Sequence, residues 1–230
     1  MRVSIHQPEF FPWAGFFNKL AASDRFVLFD NVSFKKNYFD NRCRIRINDA
    51  MHWLTVPVRT SGRLGQSIKD VEIDNDHPWG AKMWRTVAQS YARAPYLAEH
   101  ASFLEDAFEN RCWAHLSDLN VHIIRYVAAY LDLKAELVMG SSLDAEGSGS
   151  DIVLDTCKRA GASEYLSGRH GEEYLDRQAF SEAGIKLTFQ DYSQPAYPQV
   201  QGAYLGPLSV LDALLNIGPK TRQIVLGEVA

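Results

Sequence analysis

The region between residues 135 and 190 places the strongest constraint on the fold. Short apolar runs typical of strands alternate there with segments of helical periodicity, at 135–139, 151–160, 164–167, 172–183 and 186–190. Gly161 and Gly184 stand just before the second and third strands, where glycine commonly ends a helix. Strands joined by helices form parallel sheets with right-handed crossovers. The pattern therefore predicts an α/β fold.

The first thirty residues repeat this order. A strand pattern at 2–6 runs into a loop that contains Pro8 and Pro12, and helical spacing from 13 to 22 precedes another apolar run at 26–29. Strand–helix–strand units therefore stand at both ends of the chain. We expect a Rossmann-like, mostly parallel sheet.

The middle of the chain differs from both ends. Strand patterns at 42–47 and 53–58 predict a hairpin through residues 48–50, and a third pattern at 68–73 is a candidate to pair with it. Helical spacing follows at 79–91, 96–108 and 116–131, and the final helix is predicted at 209–217. We expect a single domain over residues 1–230 with a helical insert at about 79–132.

Composition narrows the class of protein. The 230 residues are 46% hydrophobic and carry a net charge of −4, which suits a globular chain and disfavours a dedicated nucleic-acid binder. The three cysteines lie far apart without metal-ligand spacing, which favours a reducing compartment. The N-terminus lacks the pattern of a signal peptide and no apolar run reaches transmembrane length, so we expect a cytoplasmic protein with no membrane span.

The end of the first strand is the first candidate site, because open α/β sheets bind ligands at the carboxyl ends of strands. His6 is a candidate general acid or base, Gln7 offers a donor and an acceptor, and the helix start at Trp13 points N–H groups toward an anion. Lys19, one turn beyond Gly15, and Asp30, after the second strand, complete the candidate catalytic set. The structural alternative is a hydrogen-bonded strand histidine, a packed tryptophan and a solvated lysine.

Basic residues and amides between positions 35 and 46 form a second candidate. They suit the oxygens of a phosphate, and we select Lys36, Asn41, Arg42 and Arg44 as substrate-binding candidates. A solvated hairpin edge would also carry cations, because charge on an edge strand discourages aggregation. Both interpretations stay open.

A third candidate follows the strand at 164–167. Ser167, Gly168 and Arg169 precede a predicted helix, where a loop contacts ligands or merely forms a tight turn. Further substrate-binding candidates are Tyr174 and two residues of a tyrosine- and proline-rich stretch, Tyr192 and Gln199, which suits a stacking wall or a rigid surface segment. The seven histidines form no close liganding pair, so no essential protein-bound metal is expected.

The string from Ile5 to Lys19, IHQPEFFPWAGFFNK, resembles the opening signature of WbqC-like proteins. Further similar segments are 26–32, 41–42, 53–58, 165–168 and 208–212, so the resemblance spans nearly the whole chain. It implies a link to bacterial O-antigen and other surface-polysaccharide gene clusters. A more distant architectural similarity is to nucleotidyltransferases of the HIGH type, with Phe16 in place of the expected histidine.

The resemblance and the anion-suited loops favour a transferase that acts on a nucleotide-linked amino sugar by N-acyl or aminoacyl transfer. In that hypothesis His6 relays a proton, Gln7 and Asn41 orient the substrate, and Lys36, Arg42 and Arg44 hold the diphosphate. One alternative is nucleotidyl or adenylyl transfer with ATP and magnesium; the other is a non-catalytic protein that binds a sugar nucleotide or glycan. The expected partner is a small-molecule substrate, the nucleotide sugar, with an acyl donor as co-substrate in the first hypothesis; in the last, the protein belongs to an assembly complex.

Overall fold

The structure, a computed structural model, describes residues 1–228. Its strands are β1 (Arg2–His6), β2 (Arg25–Leu28), β3 (Arg42–Ile47), β4 (Ala50–Thr55), β5 (Glu136–Met139), β6 (Glu164–Ser167) and β7 (Lys186–Phe189). Its helices are α1 (Ala14–Ala21), α2 (Trp79–Ser90), α3 (Leu97–Glu105), α4 (Leu116–Tyr130), α5 (Ser150–Arg159), α6 (Arg177–Glu182), α7 (Val210–Ile217) and α8 (Thr221–Leu226).

Five strands form the central sheet in the order β5-β2-β1-β6-β7, and every neighbouring pair is parallel. The predicted α/β class and mostly parallel, Rossmann-like sheet are confirmed. The chain adds β2 and β5 on one side of β1 and then β6 and β7 on the other. The strand order therefore reverses between β1 and β6, which is the topological switch point where such sheets bind ligands.

Both faces of the sheet are buried. Phe26 and Leu28 pack into a large apolar cluster that includes residues of α1, α4 and α7. Val27 and Phe29, which alternate with them along the chain, pack into a smaller cluster with residues of α5 and α6. Because neighbouring side chains of a strand point to opposite faces, the run from Phe26 to Phe29 has to be apolar throughout.

The predicted hairpin is confirmed as β3 and β4, which pair antiparallel from Arg42 opposite Thr55 to Ile47 opposite Ala50. The bounds predicted for its second strand, 53–58, are wrong, because the turn is shorter than predicted and β4 spans Ala50–Thr55. The predicted third strand at 68–73 is wrong. Residues 68–70 form a 3-10 turn, and a single bridge joins Val58 to Ile73. The buried Ile68 and Val71 are three residues apart, which matches a turn better than the two-residue period of a strand.

The helical middle layer is confirmed by α2, α3 and α4. The helix predicted at 172–183 is shorter, because a 3-10 turn occupies 169–173 and the Asp176 side chain caps α6 by accepting from the N–H groups of Gln178 and Ala179. The helix at 209–217 is not the final one, since α8 follows the glycine and proline that end α7. Within residues 1–228, no helix combines the length and apolar character that crossing a bilayer requires.

Candidate functional site

A cavity of about 710 Å³ opens at the carboxyl ends of β1 and β6. Its wall combines the end of β1, the loop and helix start that follow it, the segment around residues 35–44 and the turn after β6. The cavity therefore lies at the reversal of strand order, where the ends of two adjacent parallel strands leave a crevice. This is the size and position of a small-molecule site.

Most of the residues selected from the sequence meet at this cavity. Those that line it are His6, Gln7, Trp13, Lys19, Arg44, Ser167, Gly168, Arg169, Tyr174 and Tyr192. They come from four separate stretches of the chain, at 6–19, 44, 167–174 and 192. The fold therefore brings the first candidate site and the turn after β6 into one pocket, together with Arg44 from β3.

Two of the selected residues lie in the surrounding framework. Asp30 is 2% exposed, and its two carboxylate oxygens accept hydrogen bonds of 2.7 Å from the amide and the hydroxyl of Ser141. Asn41 donates from Nδ2 to the carbonyl oxygen of Val56 at 2.9 Å. These bonds fasten the loop after β5 and the base of the hairpin, and neither side chain is part of the cavity wall.

Three more of the selected residues lie outside the cavity wall. The Arg42 guanidinium lies 4.0 Å from the centre of the Trp53 ring, and Lys36 is exposed. Gln199 donates to the buried Asp212 at 2.7 Å and accepts from Arg46 at 2.9 Å. None of the three belongs to the wall of the cavity.

His6 contributes a neutral imidazole to the wall. Burial, followed by the charge of Lys19, lowers its pKa to about 3. Its Nδ1 lies 3.0 Å from the carbonyl oxygen of Gln7. Because a carbonyl only accepts, Nδ1 carries the proton and Nε2 keeps its lone pair. His6 is therefore a polar contact for a ligand, while its basicity is low.

Lys19 and Glu9 form the electrostatic centre of the cavity. Lys19 is only 3% exposed, and burial lowers its pKa from 10.5 to about 7. Glu9 is 6% exposed, and burial together with the charge of Asp40 raises its pKa from 4.5 to about 8. Both groups change protonation close to neutral pH, which is the condition for general acid–base catalysis.

The loop between β1 and α1 is held in a strained conformation. Phe11 has a φ of 41°, which a bulky residue rarely adopts. Its carbonyl oxygen accepts from the Ser209 hydroxyl at 2.7 Å, and the amide of Val210 donates to Pro12 at 2.9 Å. The start of α7 thus fixes the loop that carries Glu9, and strain of this kind is concentrated at binding sites.

Aromatic rings and cations surround the opening. The rings of Trp13 and Tyr192 lie 5.6 Å apart in the wall. Arg44 lies 5.5 Å from the centre of the Phe39 ring, and the Lys35 ammonium lies 5.4 Å from that of Tyr38. This combination suits a ligand with a planar or sugar ring and an anionic group.

Sequence reasoning selected neither Glu9 nor Gln190, although both line the cavity. Gln190 donates from Nε2 to the carbonyl oxygen of Gly15 at 2.8 Å and to Asn18 at 2.7 Å, so it ties the end of β7 to α1. Glu9 could have been selected from the sequence, because it is the one charged residue in an apolar loop between two prolines. No sequence pattern indicated Gln190, because its partners are 172 or more positions away in sequence.

Metal ligation finds no support in the part of the chain that the structure describes. Among residues 1–228, no group of three or more histidine, cysteine, aspartate or glutamate side chains is arranged to hold a metal ion. Cys43 and Cys157 are buried, and burial raises the pKa of the Cys43 thiol to about 12. These two thiols are core residues with little thiolate character.

Comparisons with known proteins agree with the motifs of the chain. The sequence model of the WbqC-like protein family matches residues 7–224. The Uncharacterized protein Rv1507c of Mycobacterium tuberculosis is 31% identical over 218 residues, which cover 94% of this chain and 94% of that relative. No solved structure gives a significant match. The chain therefore belongs to the WbqC-like protein family.

Proposed function

We propose that this protein is a transferase that acylates or aminoacylates the amino group of a nucleotide-linked sugar. The observation that carries the proposal is the Lys19 amine, buried in the cavity wall with a pKa of about 7. Near neutral pH about half of such an amine is unprotonated, so it accepts a proton without needing a metal or a strong base. The association of the family with surface-polysaccharide gene clusters supports a sugar as the substrate.

Lys19 is a better proton acceptor than His6. An imidazole with a pKa of about 3 is a weak base at neutral pH, whereas the pKa of Lys19 lies close to neutral pH. His6 and Gln7, which lie at the end of β1, then orient the substrate through hydrogen bonds. Lys35, Arg44 and Arg169 line the cavity and supply cations for a diphosphate.

The reaction needs an activated acyl donor as its second substrate. The neutral sugar amine attacks the carbonyl carbon of the donor, and a C–N bond forms. Lys19 accepts the proton that the nitrogen releases and passes it to the leaving group as the bond between the carbonyl and the leaving group breaks. The products are an N-acylated sugar nucleotide and the protonated leaving group.

The test is a product assay by mass spectrometry. The protein is incubated with UDP-glucosamine and other nucleotide-linked amino sugars, each paired with acyl-CoA donors. We expect the sugar nucleotide to gain the mass of the acyl group, and we expect Lys19→Met to lower the rate by about 100-fold or more. Lys186→Met, which changes an exposed lysine of β7, should keep the rate of the unmodified protein.

Two results would contradict acyl transfer. Release of pyrophosphate from ATP with magnesium, without an acylated sugar, would identify adenylyl transfer. Saturable binding of a nucleotide sugar without turnover of any donor would identify a recognition protein.

A further inference from the structure

Two buried carboxyl groups beside the cavity have oxygens without hydrogen-bond partners. Glu9 is 6% exposed and Asp40 is fully buried. Within residues 1–228, neither Oε2 of Glu9 nor Oδ1 of Asp40 has a partner. A buried carboxyl oxygen without a partner costs free energy, so such oxygens are rare unless a ligand uses them.

The two carboxyl groups belong to adjacent stretches of backbone. The amide of Phe10 donates to the carbonyl oxygen of Phe39 at 3.0 Å. Asn120, from α4, donates from Nδ2 both to Pro8 and to the carbonyl oxygen of Asp40, each at 2.8 Å. Residues 8–10 and 39–40 therefore run side by side, and the charge of Asp40 acts on the Glu9 carboxyl.

The nearby cations of the chain are engaged elsewhere. The Lys19 ammonium donates to the carbonyl oxygen of Ile5 at 2.9 Å, and the Lys35 ammonium lies over the Tyr38 ring. In the described part of the chain, no lysine or arginine forms a salt bridge with Glu9 or Asp40, and His6 has its Nδ1 4.0 Å from Oε1 of Glu9. The charge of Lys19 acts on Glu9 and that of Lys35 on Asp40, but neither ammonium group is in direct contact with the acidic pair.

We propose that Glu9, supported by Asp40, forms a subsite for a primary amine of the ligand. Glu9 lines the cavity, so an amine in the cavity lies beside its carboxyl group, while the fully buried Asp40 is not part of the wall and adds negative charge. A primary ammonium has three N–H donors and needs only a few oxygens. A divalent cation such as calcium needs six or more oxygens, and no cluster of three or more potential ligands exists in residues 1–228.

The subsite deepens the proposed function and rests on it for the identity of the amine. In that scheme the diphosphate lies near Lys35, Arg44 and Arg169, and the sugar amine lies near Glu9 in the same cavity as Lys19. The amine is thereby held within the pocket that contains its proton acceptor. Selectivity for an amino sugar over a plain sugar follows, because a hydroxyl group carries no charge to match the acidic pair.

Side-chain carboxyl carbons observed by NMR give a direct test that needs no knowledge of the natural ligand. Protein labelled with ¹³C at these carbons is titrated with ethylammonium chloride and, at equal ionic strength, with tetramethylammonium chloride. The second cation has the same charge but no N–H donor. We expect the Glu9 and Asp40 signals to move saturably with ethylammonium alone. Equal responses to the two cations, or no response, would overturn the proposal.

Variants and a metal control sharpen the test. Glu9→Gln keeps the shape of the side chain and should weaken ethylammonium binding by about tenfold or more, whereas Glu105→Gln, an exposed glutamate of α3, should not change it. If Glu9→Gln does not fold, the comparison of ethylammonium with tetramethylammonium in the unmodified protein still tests the proposal. A response to magnesium chloride but not to ethylammonium would make this a metal site and overturn the proposal.

The outcome is separable from that of the proposed function. Saturable ethylammonium binding by a protein that acylates no amino sugar would support the subsite and contradict the transferase. Acylation of an amino sugar by a protein whose Glu9 and Asp40 ignore ethylammonium would support the transferase and overturn the subsite.

Discussion

The Lys19 ammonium donates a hydrogen bond of 2.9 Å to the carbonyl oxygen of Ile5. This bond brings the Lys19 side chain of α1 back to the end of β1, next to the loop that connects the two elements. It also places a charge in an apolar setting, with the rings of Phe16 and Phe26 nearby. The lowered pKa of Lys19 is thus a consequence of how the first strand, loop and helix pack together.

Replacing Glu9 by glutamine should stabilise the protein at alkaline pH. The folded state raises the pKa of Glu9 from 4.5 to about 8, so its contribution to stability is complete below about pH 4.5 and is lost as the pH rises through 8. Glutamine does not titrate. We expect the free energy of unfolding of Glu9→Gln, relative to the unmodified protein, to increase by a few kcal/mol between about pH 5 and about pH 9.

Urea unfolding at a series of pH values measures this difference. Glu105→Gln is the matched control, and we expect its difference from the unmodified protein to stay constant with pH. A constant difference for Glu9→Gln as well would show that Glu9 titrates at an ordinary pKa in the folded state.

The turn after β6 should tolerate alanine at one glycine and reject it at another. A Cβ on Gly171 would lie 2.0 Å from the Ser167 hydroxyl oxygen, whereas the nearest atom to a Cβ on Gly168 is the Lys19 ammonium nitrogen at 4.0 Å. We expect thermal unfolding to show a loss of about 1–3 kcal/mol for Gly171→Ala and a change within about 0.5 kcal/mol for Gly168→Ala. Ser167→Ala should recover part of the loss when combined with Gly171→Ala. Equal stability of the two single variants would contradict this geometry.

The bridge made by Asn120 should be essential for the loop that carries Glu9. Asn120→Ala removes the donor of two buried carbonyl oxygens, those of Pro8 and Asp40. We expect a loss of about 2–4 kcal/mol in the free energy of unfolding, measured with urea. Asn75→Ala, which removes exposed bonds to the carbonyl oxygen of Trp113 and from the indole N–H of Trp79, should cost about 1 kcal/mol or less. Similar losses for the two variants would argue against a buried bridge.

Two neighbouring arginines of β3 should differ in anion binding. Arg44 lines the cavity, whereas Arg42 does not, although both guanidinium groups lie over the Trp53 ring at 4.8 and 4.0 Å. Inorganic pyrophosphate serves as the probe in calorimetric titrations. We expect Arg44→Ala to weaken its binding by about tenfold and Arg42→Ala to leave it nearly unchanged. The reverse result would place the anion beside Arg42, outside the cavity.

Local patterns were sufficient for most of the fold. The strands of the sheet alternate with helices at the predicted places because apolar periodicity and helix-ending glycines are properties of short segments. The position of His6 at the end of β1 followed from the same pattern. The strand prediction for residues 68–73 was wrong because three apolar residues at mixed spacing fit both a strand and a turn.

The framework of the site depended on contacts that no short segment reveals. Asn120 reaches residues 80 or more positions away, and Gln190 holds a helix that begins near residue 14. Arg42 and Arg44 are two residues apart on β3 and therefore share one face of the hairpin, so their position along the strand decides that Arg44 lines the cavity and Arg42 does not. The sequence offered several cations in this region, and tertiary packing decides that Arg44 lines the cavity whereas Lys36 and Arg42 do not.

The protonation of Lys19 is the most direct test of its proposed role as proton acceptor. NMR of the lysine side chains, labelled with ¹³C at Cε, reports each lysine as the pH is varied, and Lys19→Met identifies the signal. We predict that Lys19 titrates near pH 7 and that its signal moves when an amino-sugar nucleotide binds. Titration at the ordinary value of 10.5 would contradict the role of Lys19 as the proton acceptor of this cavity.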